Sequence, residues 1–378
     1  MKVLLVTLLA VALAAALPVE EVGMEHMPNE EIGSEHIPNE EEGLEHIPVD
    51  EELGEEHMPR EASEQWSLVP DSNGHLHLVN TDPYGLNGQD EPAPMFDAAT
   101  QTIFRLFTRQ NRATGHVIQL GNAASLGQFW SPARQTRFII HGWNNNGNSD
   151  VNVVIRNAYL DRADINVITV DWGVGAQNPN YVTSRNHIDA VGLTVARFID
   201  FLNVQGLAFT NVYVVGHSLG GHTAGIAGKR VTRGLIQAVI ALDPALPLFS
   251  MDRPAERVAP GDARYVEIIH TNAGLLGFDQ PIGQASFYPN WGRSQPGCGV
   301  DLSGACAHGR AWEFFAESVR TAPSRFVSVQ CANYGQIVNQ NCVSSGPNRN
   351  MGGEPANIGT ASGVYFLQTN AASPFARG

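Results

Sequence analysis

Charged side chains are scarce in this chain. They make up 16% of its 378 residues, against 43% hydrophobic ones, which excludes a wholly disordered chain, a collagen and a coiled coil. The acids are also concentrated, because residues 18–65 hold 17 carboxylates against a single base, Arg60. Setting these and Lys2 aside leaves 21 acids and 21 bases for residues 66–378. A formally neutral body lacks the basic surface that binds nucleic acid, so that function is excluded.

Lysine is almost absent. Only Lys2 and Lys229 occur, so 21 of the 23 basic residues are arginine. A lysine begins to lose its proton near pH 10, whereas an arginine stays charged. One interpretation is that the protein works in an alkaline fluid such as an alkaline gut lumen; the alternative is codon bias.

Long apolar runs are limited to residues 3–17, which follow Met1-Lys2 and end on three small alanines at 14–16. This run is shorter than the roughly 20 residues that a spanning helix needs, which disfavours the alternative of a membrane anchor. A basic start, a short apolar core and an Ala-x-Ala end predict a secretory signal peptide at residues 1–16. We therefore expect an exported, extracellular protein.

Cysteine is limited to four residues, which form two local pairs, Cys298 with Cys306 and Cys331 with Cys342. Four cysteines allow three pairings, and short loops favour these neighbouring ones. A zinc site is the alternative, but neither spacing is C-x-x-C. In an exported chain the pattern predicts two disulfides.

The acidic segment 17–65 is a repeat of about ten residues, EEVGMEHMPN at 20–29 and close variants at 30–39, 40–49 and 51–60. Each unit has too few bulky apolar residues to offset the entropy of ordering, so we interpret it as disordered. It is either a propeptide, with Arg60 as a cleavage point, or a solvated leader without a specific ligand. Residues 66–378 are then the folded domain, with a loop-rich lead-in at 66–95.

The body alternates short apolar runs with helical patterns. Buried strands next to helices are typical of an α/β protein with a mostly parallel central sheet, covered by helices on both faces. The predicted strands are residues 102–108, 137–141, 166–171, 211–216, 237–243 and 264–271, and the predicted helices are residues 151–160, 186–204, 219–231 and 311–319.

The most informative segment is VVGHSLGGH at 214–222. A buried strand leads directly into G-x-S-x-G and then into a helix of small residues, which is the context of a nucleophile elbow. Gly216 and Gly220 permit the tight turn that presents Ser218 at the helix N-terminus. A bare G-x-S-x-G is a weak motif, and the strand before it and the helix after it make it specific.

A serine nucleophile needs a histidine base and an acid that orients it. Asp243 ends a buried strand at the sheet edge where the elbow opens, whereas Asp252 and Asp262 lie in a loop. The histidines that follow are His270, at a strand end, and His308, just after Cys306. Spacing favours His308 without excluding His270. His217 and His222 flank the serine and are expected to point elsewhere.

A site where a serine nucleophile carries out acyl transfer also needs two backbone N–H donors for the oxyanion. The N–H of Leu219, which follows the serine, is the first candidate. The strand ending in FIIHGW at 138–143 offers the N–H of Trp143 as the second, although a His-Gly-Trp turn alone is equally an ordinary strand end.

With these motifs in place the chain resembles the pancreatic-lipase-type neutral lipases, in particular an insect digestive, phospholipase A1-like branch. The resemblance implies an α/β-hydrolase fold and a catalytic triad of Ser218, Asp243 and His308, with His270 structural. The cysteine pairs match those of the family. The motifs that carry the resemblance are FIIHGW at 138–143, VDWGVGA at 170–176, VVGHSLGGH at 214–222, ALDPALPLF at 241–249, IIHTNAG at 268–274, FYPNWG at 287–292, QPGC at 295–298 and CAHGRA at 306–311.

The chain also departs from that family pattern. The sequence stops where the family's catalytic domain ends, so we expect neither a C-terminal β-sandwich nor a colipase partner. The family's calcium loop corresponds to 254–262, where Asp262 is the one remaining carboxylate and Ala259 replaces another, so calcium affinity should be poor and no metal or cofactor is expected. The lid between Cys298 and Cys306 has only seven residues, and the segment between His270 and Phe287 is short. In this family short lids accompany phospholipase A1 or galactolipase activity.

The sequence therefore predicts a secreted serine hydrolase that cleaves the esters of acylglycerols, phospholipids or galactolipids and contacts lipid surfaces peripherally. The alternative is a catalytically weak storage or lipid-binding protein of the yolk-protein type. An intact Ser218, Asp243 and His308 argue against that alternative.

Overall fold

The computed structural model describes residues 66–70, 76–80, 96–321 and 323–378. The predicted signal peptide at 1–16, the acidic leader at 17–65 and part of the lead-in lie outside these residues. The strands are β1 (Trp66–Pro70), β2 (Leu76–Asn80), β3 (Ile103–Phe107), β4 (His116–Ile118), β5 (Thr136–Ile140), β6 (Asn166–Asp171), β7 (Val212–His217), β8 (Ala238–Leu242), β9 (Tyr265–Ile269), β10 (Ala285–Pro289), β11 (Val327–Cys331), β12 (Arg349–Asn350) and β13 (Gly363–Leu367). The helices are α1 (Ala98–Gln101), α2 (Asp150–Arg162), α3 (Gly173–Ala176), α4 (Tyr181–Val204), α5 (Leu219–Arg230), α6 (Ala305–Arg320) and α7 (Tyr334–Val338).

One large sheet contains β3 to β13, in the order β12-β11-β13-β10-β9-β8-β7-β5-β6-β3-β4. The strands from β13 to β6 along this order are parallel, and the strands at both edges are antiparallel. In the centre of the sheet, Ile140 lies opposite Gly216 and His217 lies opposite Leu242. The carboxyl ends of β5, β7 and β8 therefore meet at one edge, which is where α/β sheets place their sites.

Helices cover both faces of this sheet. On one face α4 and α5 pack on the strands, and their buried side chains share a core with Phe138, Val214 and Val239. On the other face α2 and α6 pack through Tyr159, Phe314 and Phe315. The central strands are buried along their whole length, as is usual for parallel strands covered on both sides. This architecture is the α/β-hydrolase fold that the sequence predicts.

The predicted strands are present, with ends that differ by no more than two residues. Two helices start five or more residues earlier than predicted. Helix α4 starts at Tyr181 because the side chain of Asn180 accepts a hydrogen bond from the N–H of Val182 (2.9 Å). Helix α6 starts at Ala305 instead of 311, because the carboxylate of Asp301 accepts a bond from the N–H of Ala307 (2.8 Å) in its first turn.

The sequence predicts a loop-rich lead-in at 66–95, and this is wrong in part. Strands β1 and β2 form a separate two-stranded antiparallel sheet there. We call this sheet the N-terminal ribbon. Its Val69 and Val79 are buried in the same core as α4 and α5, and this packing decides the local structure. The remainder of the lead-in, residues 71–75 and 81–95, lies outside the described residues.

Candidate active site

Ser218 lies at a sharp turn between β7 and α5. Its backbone has φ 58° and ψ −126°, a strained conformation for a residue with a side chain. A Cβ on Gly216 would lie 1.9 Å from the carbonyl oxygen of Gly220, and one on Gly220 would lie 2.3 Å from that of Ile140. Only glycine fits at these two positions, so the G-x-S-x-G pattern is explained by the packing of this turn.

Asp243 and His308 form a hydrogen-bonded pair. Asp243 directly follows β8 and is fully buried, whereas His308 lies in the first turn of α6 and is 12% exposed. The Nδ1 atom of His308 is 2.6 Å from Oδ2 of Asp243. The other carboxylate oxygen accepts the N–H groups of Thr271 (2.7 Å) and Asn272 (3.0 Å). Because both oxygens have partners, the carboxylate is fixed and orients the imidazole.

Ser218 and His308 line one cavity of about 360 Å³, a volume within the usual range for a ligand site. Its wall combines polar side chains with apolar ones, which include Trp143, Tyr181 and Leu276. Since Asp243 binds Nδ1 of His308, Nε2 is the ring nitrogen left for proton exchange. The structure thus brings together the serine, the histidine and the acid that the sequence identified as candidates.

The other candidates are not in this arrangement. His270 is fully buried, with its ring stacked on Tyr288 (centroids 4.3 Å apart) and its Nδ1 bonded to the carbonyl of Phe278 (2.7 Å). Burial lowers the pKa of His270 to about 4, which suits a neutral structural ring. Asp252 is exposed, and Asp262 is paired with Lys229. Of the two histidines that spacing left open, His308 is the one that contacts the carboxylate of Asp243.

The histidines that flank the serine behave differently from each other. His222 points away from the cavity, as expected, and its Nε2 donates to the carbonyl of Ala245 (2.7 Å). His217 does not point elsewhere, contrary to the expectation: it lines the cavity and its Nε2 donates to the carbonyl of His308 (3.1 Å). Their rings are 4.4 Å apart. His217 therefore holds the backbone of His308, a role that no signal in the sequence indicated.

The turn after β5 lies directly against the serine. A Cβ on Gly142 would lie 2.8 Å from the Cβ of Ser218, so glycine is needed for this approach. The ring of Trp172 fixes the turn, because its Nε1 donates to the carbonyl of His141 (2.9 Å). Trp143 follows and lines the cavity. Leu219 is the first residue of α5, and its N–H has no partner within the helix.

Comparison with known proteins agrees with this geometry. The family model described as Lipase matches residues 79–375. The chain belongs to the lipase family. The pancreatic triacylglycerol lipase of Sus scrofa is 33% identical over 306 residues, which are 73% of this chain and 67% of that protein. The lipase member H of Oryctolagus cuniculus is 31% identical over 248 residues, which are 64% of this chain and 54% of that protein.

A third relative, the pancreatic lipase-related protein 2 of Cavia porcellus, is 33% identical over 292 residues, covering 73% of this chain and 66% of that protein. The chain thus spans about two thirds of the length of these pancreatic relatives. These similarities place it in the pancreatic-lipase-type group of the lipase family, which consists of carboxylic ester hydrolases.

In this lipase-family chain the lid segment is short and has no helix before α6. Residues 299–305 join the two cysteines of the Cys298–Cys306 disulfide, and residues 299–304 precede α6. Gly299 and Gly304 both have positive φ. The side chains of Val300 and Leu302 are 87% and 88% exposed. This segment therefore lacks an amphipathic helix that could cover the cavity.

The segment that corresponds to the family's calcium loop does not suit a calcium ion. The ammonium of Lys229 binds Oδ1 of Asp262, and the N–H of Ala259 donates to Oδ2 (2.8 Å). Both oxygens of the carboxylate are therefore taken, and its charge is already matched. Elsewhere in the described part of the chain, the group of possible metal ligands is Cys298, Asp301 and Cys306, whose sulfurs are joined in a disulfide.

The second disulfide, Cys331–Cys342, ties β11 to the segment after α7. Two disulfides and the similarity to pancreatic lipases fit an extracellular protein. Among the helices of the described residues, none has both the length and the apolar character needed to cross a membrane.

Proposed function

We propose that this protein is a secreted serine hydrolase that cleaves the carboxylic esters of lipids. The observation that carries the proposal is the contact between Nδ1 of His308 and Oδ2 of Asp243 (2.6 Å), beside Ser218 in its strained turn and in the same cavity. A buried acid, a histidine and an elbow serine that lines the cavity are the parts that acyl transfer requires.

In the proposed reaction, Oγ of Ser218 attacks the ester carbonyl carbon while Nε2 of His308 takes the hydroxyl proton. Asp243 holds the imidazolium that forms. The N–H groups of Trp143 and Leu219 stabilise the oxyanion. The bond to the alcohol oxygen then breaks, His308 returns the proton to that oxygen, and the acyl group stays on Ser218. A water molecule activated by His308 releases the fatty acid.

The proposed substrates are acylglycerols, phospholipids or galactolipids. The cavity wall has apolar side chains that suit an acyl chain, including Trp143, Tyr181 and Leu276. The short segment 299–304 leaves room for a bulky polar head group at the mouth. Triacylglycerol, the substrate after which the pancreatic relative of Sus scrofa is named, is one member of this class.

An alkaline extracellular medium is part of the proposal. Arginine is the base in the ion pairs that Arg or Lys forms among the described residues, except for the pair Lys229–Asp262. Arginine keeps these pairs charged at a pH where lysine titrates. The composition and the ion pairs thus both suit a fluid of high pH, and a gut lumen is the proposed setting.

The test combines a serine-directed fluorophosphonate probe with hydrolysis of triglyceride, phosphatidylcholine, galactolipid and a water-soluble monomeric ester. The parent should be labelled at Ser218 and should hydrolyse the soluble ester below its critical micelle concentration, because no long lid must open. Ser218→Ala should lose both signals, and Asp243→Asn should lower kcat by a factor on the order of 10⁴ in folded protein.

Absence of labelling and turnover in the parent would favour the storage-protein alternative. Activity that survives His308→Ala but not His270→Ala, both in folded protein, would show that the base is wrongly assigned.

A further inference from the structure

The N-terminal ribbon, β1 and β2, has one apolar face that packs on the domain and a second that faces solvent. Val69 and Val79 are buried on the inner face. On the outer face Leu68 lies opposite Leu78, and these side chains are 49% and 63% exposed, with Leu76 exposed beside them. In an antiparallel sheet with one face in water, the residues that point to that face are normally polar. Exposed leucines on the outer face therefore need another explanation.

The ribbon lies at the mouth of the candidate active site. Val69 lines the cavity together with Ser218 and His308. The ring of His77 packs edge-on against Trp143, with the ring centroids 5.1 Å apart. The family match begins at residue 79, so β1 and most of β2 lie outside the part that this chain shares with the lipase family model. Most of the ribbon thus lies before the matched family region, and it is placed at the mouth of the cavity.

Exposed aliphatic side chains continue on other segments near the same cavity. Leu275 is exposed and precedes Leu276, which lines the cavity. Val300 and Leu302 are exposed in the segment that leads to Ala305, another lining residue. The two segments are neighbours, because a Cβ on Gly304 would lie 2.8 Å from Cδ2 of Leu275.

Charge is nearly absent from these segments. Residues 66–70 and 76–80 contain no Asp, Glu, Lys or Arg. In 299–305 the acid is Asp301, and its carboxylate is used by the N–H groups of Cys306 and Ala307 at the start of α6. An uncharged aliphatic surface suits hydrocarbon and does not suit residues 18–65 with their 17 carboxylates, which would lose hydration without gaining a partner.

We propose that the outer face of the N-terminal ribbon, formed by Leu68, Leu76 and Leu78, docks onto the surface of a lipid aggregate and thereby seats the cavity mouth against it. The proposal rests on the proposed lipid-ester hydrolysis and names the element that brings the site to its substrate. Leucines that enter the acyl region gain burial, so each contributes to the partition of the protein onto lipid. The contact takes the place of a long lid, which segment 299–304 cannot supply.

The experiment measures binding of the full chain to phosphatidylcholine vesicles by flotation, in a Ser218→Ala background so that the vesicles are not consumed. Replacing Leu68 and Leu78 with serine should weaken the partition by about 100-fold, roughly tenfold for each leucine. The matched control is Val204→Ser, because Val204 is 61% exposed and ends α4, about 35 Å from the cavity residue Tyr181 at its start. This control should bind vesicles like the parent. Thermal melting checks that each variant is folded, and Leu76→Ser is a milder third variant.

The same leucine changes in the active enzyme should leave turnover of a soluble monomeric ester unchanged, because the outer face does not line the cavity. Three results would overturn the docking proposal: vesicle binding that is absent in the parent or unchanged by the leucine changes, loss of soluble-ester turnover along with binding, or a parent dimer that the changes convert to monomer. If the parent binds vesicles but hydrolyses no ester, the proposed function fails and the docking surface stands.

Discussion

Acid should destabilise this protein well before its carboxylates are protonated, because it buries neutral histidines. Burial lowers the pKa of His222 to about 3 and that of His270 to about 4, and it lowers the pKa of His217 well below its usual value. In the unfolded chain these rings bind a proton near pH 6.5. Between pH 6.5 and about 4, the unfolded state therefore binds more protons than the folded state. Stability is then complete above pH 6.5 and is lost as the pH falls through this window.

The size of the effect follows from the number of rings. Each buried histidine contributes a slope of about 1.4 kcal/mol per pH unit once the pH is well below 6.5, so three contribute about 4. Glu267 and Asp262, whose pKa values burial raises, bind protons in the folded state and oppose this slope. If each of these two carboxyl groups cancels the slope of one histidine, a slope of about 1.4 kcal/mol per pH unit remains from the third. Against a typical total of about 5–15 kcal/mol, a shift from pH 6.5 to 5 is a large perturbation.

The assay is urea unfolding at pH 8, 7, 6 and 5, with the free energy of unfolding extrapolated at each pH. His270→Gln removes one of the rings and should reduce the slope between pH 6 and 5 by about 1.4 kcal/mol per pH unit, whatever it does to stability at pH 8. A free energy of unfolding that stays level from pH 8 to 5, or a slope that is unchanged in the variant, would refute the reasoning.

Two further predictions concern buried charges away from the cavity. The guanidinium of Arg137 is fully buried and donates two hydrogen bonds to the carboxylate of Glu354 (2.7 and 2.9 Å). Glu354→Ala should lower the free energy of unfolding by about 3–5 kcal/mol, because it leaves a buried charge unpaired. A loss below about 1 kcal/mol in urea unfolding would contradict this. Removing divalent cations with a chelator should leave the melting temperature and the esterase rate unchanged, because Lys229 already neutralises Asp262. A loss of stability or of esterase rate that added calcium restores would show that the loop at 254–262 does bind the ion.

The parts of the site that could be predicted from sequence are those that depend on neighbours in the chain. Gly216 is required by the backbone of Gly220, four residues further along the chain, so this part of the turn is predictable from the local motif. Gly220 is also required by the carbonyl oxygen of Ile140 on the neighbouring strand β5, a contact that the motif alone does not show. Asp243 was found because it ends a buried strand, and the carboxyl ends of parallel strands meet at one edge.

The base could not be settled in this way. His308 and Asp243 are 65 positions apart, and their contact depends on the path of the chain between β8 and α6. His270 satisfies the same order along the sequence, but its ring stacks on Tyr288 and its Nδ1 bonds the carbonyl of Phe278. Resemblance to the family chose His308 where spacing could not. The pairing of His217 with the backbone of His308 left no trace in the sequence for the same reason, since it joins residues 91 positions apart.

The N-terminal ribbon was missed for a different reason, which also bears on how the site meets its substrate. Its segments are five residues each and are flanked by proline and glycine, so local pattern predicts loops. A two-stranded ribbon is marginal by itself, and it is the burial of Val69 and Val79 on the domain that gives these residues a fixed structure. That burial leaves Leu68 and Leu78 on the solvent side near the cavity mouth, where polar side chains would be better hydrated. In the docking proposal, the outer face of the ribbon and the exposed side chains of Val300 and Leu302 both offer apolar surface near the cavity. Variants of the segment between Cys298 and Cys306 alone would therefore test only part of that surface.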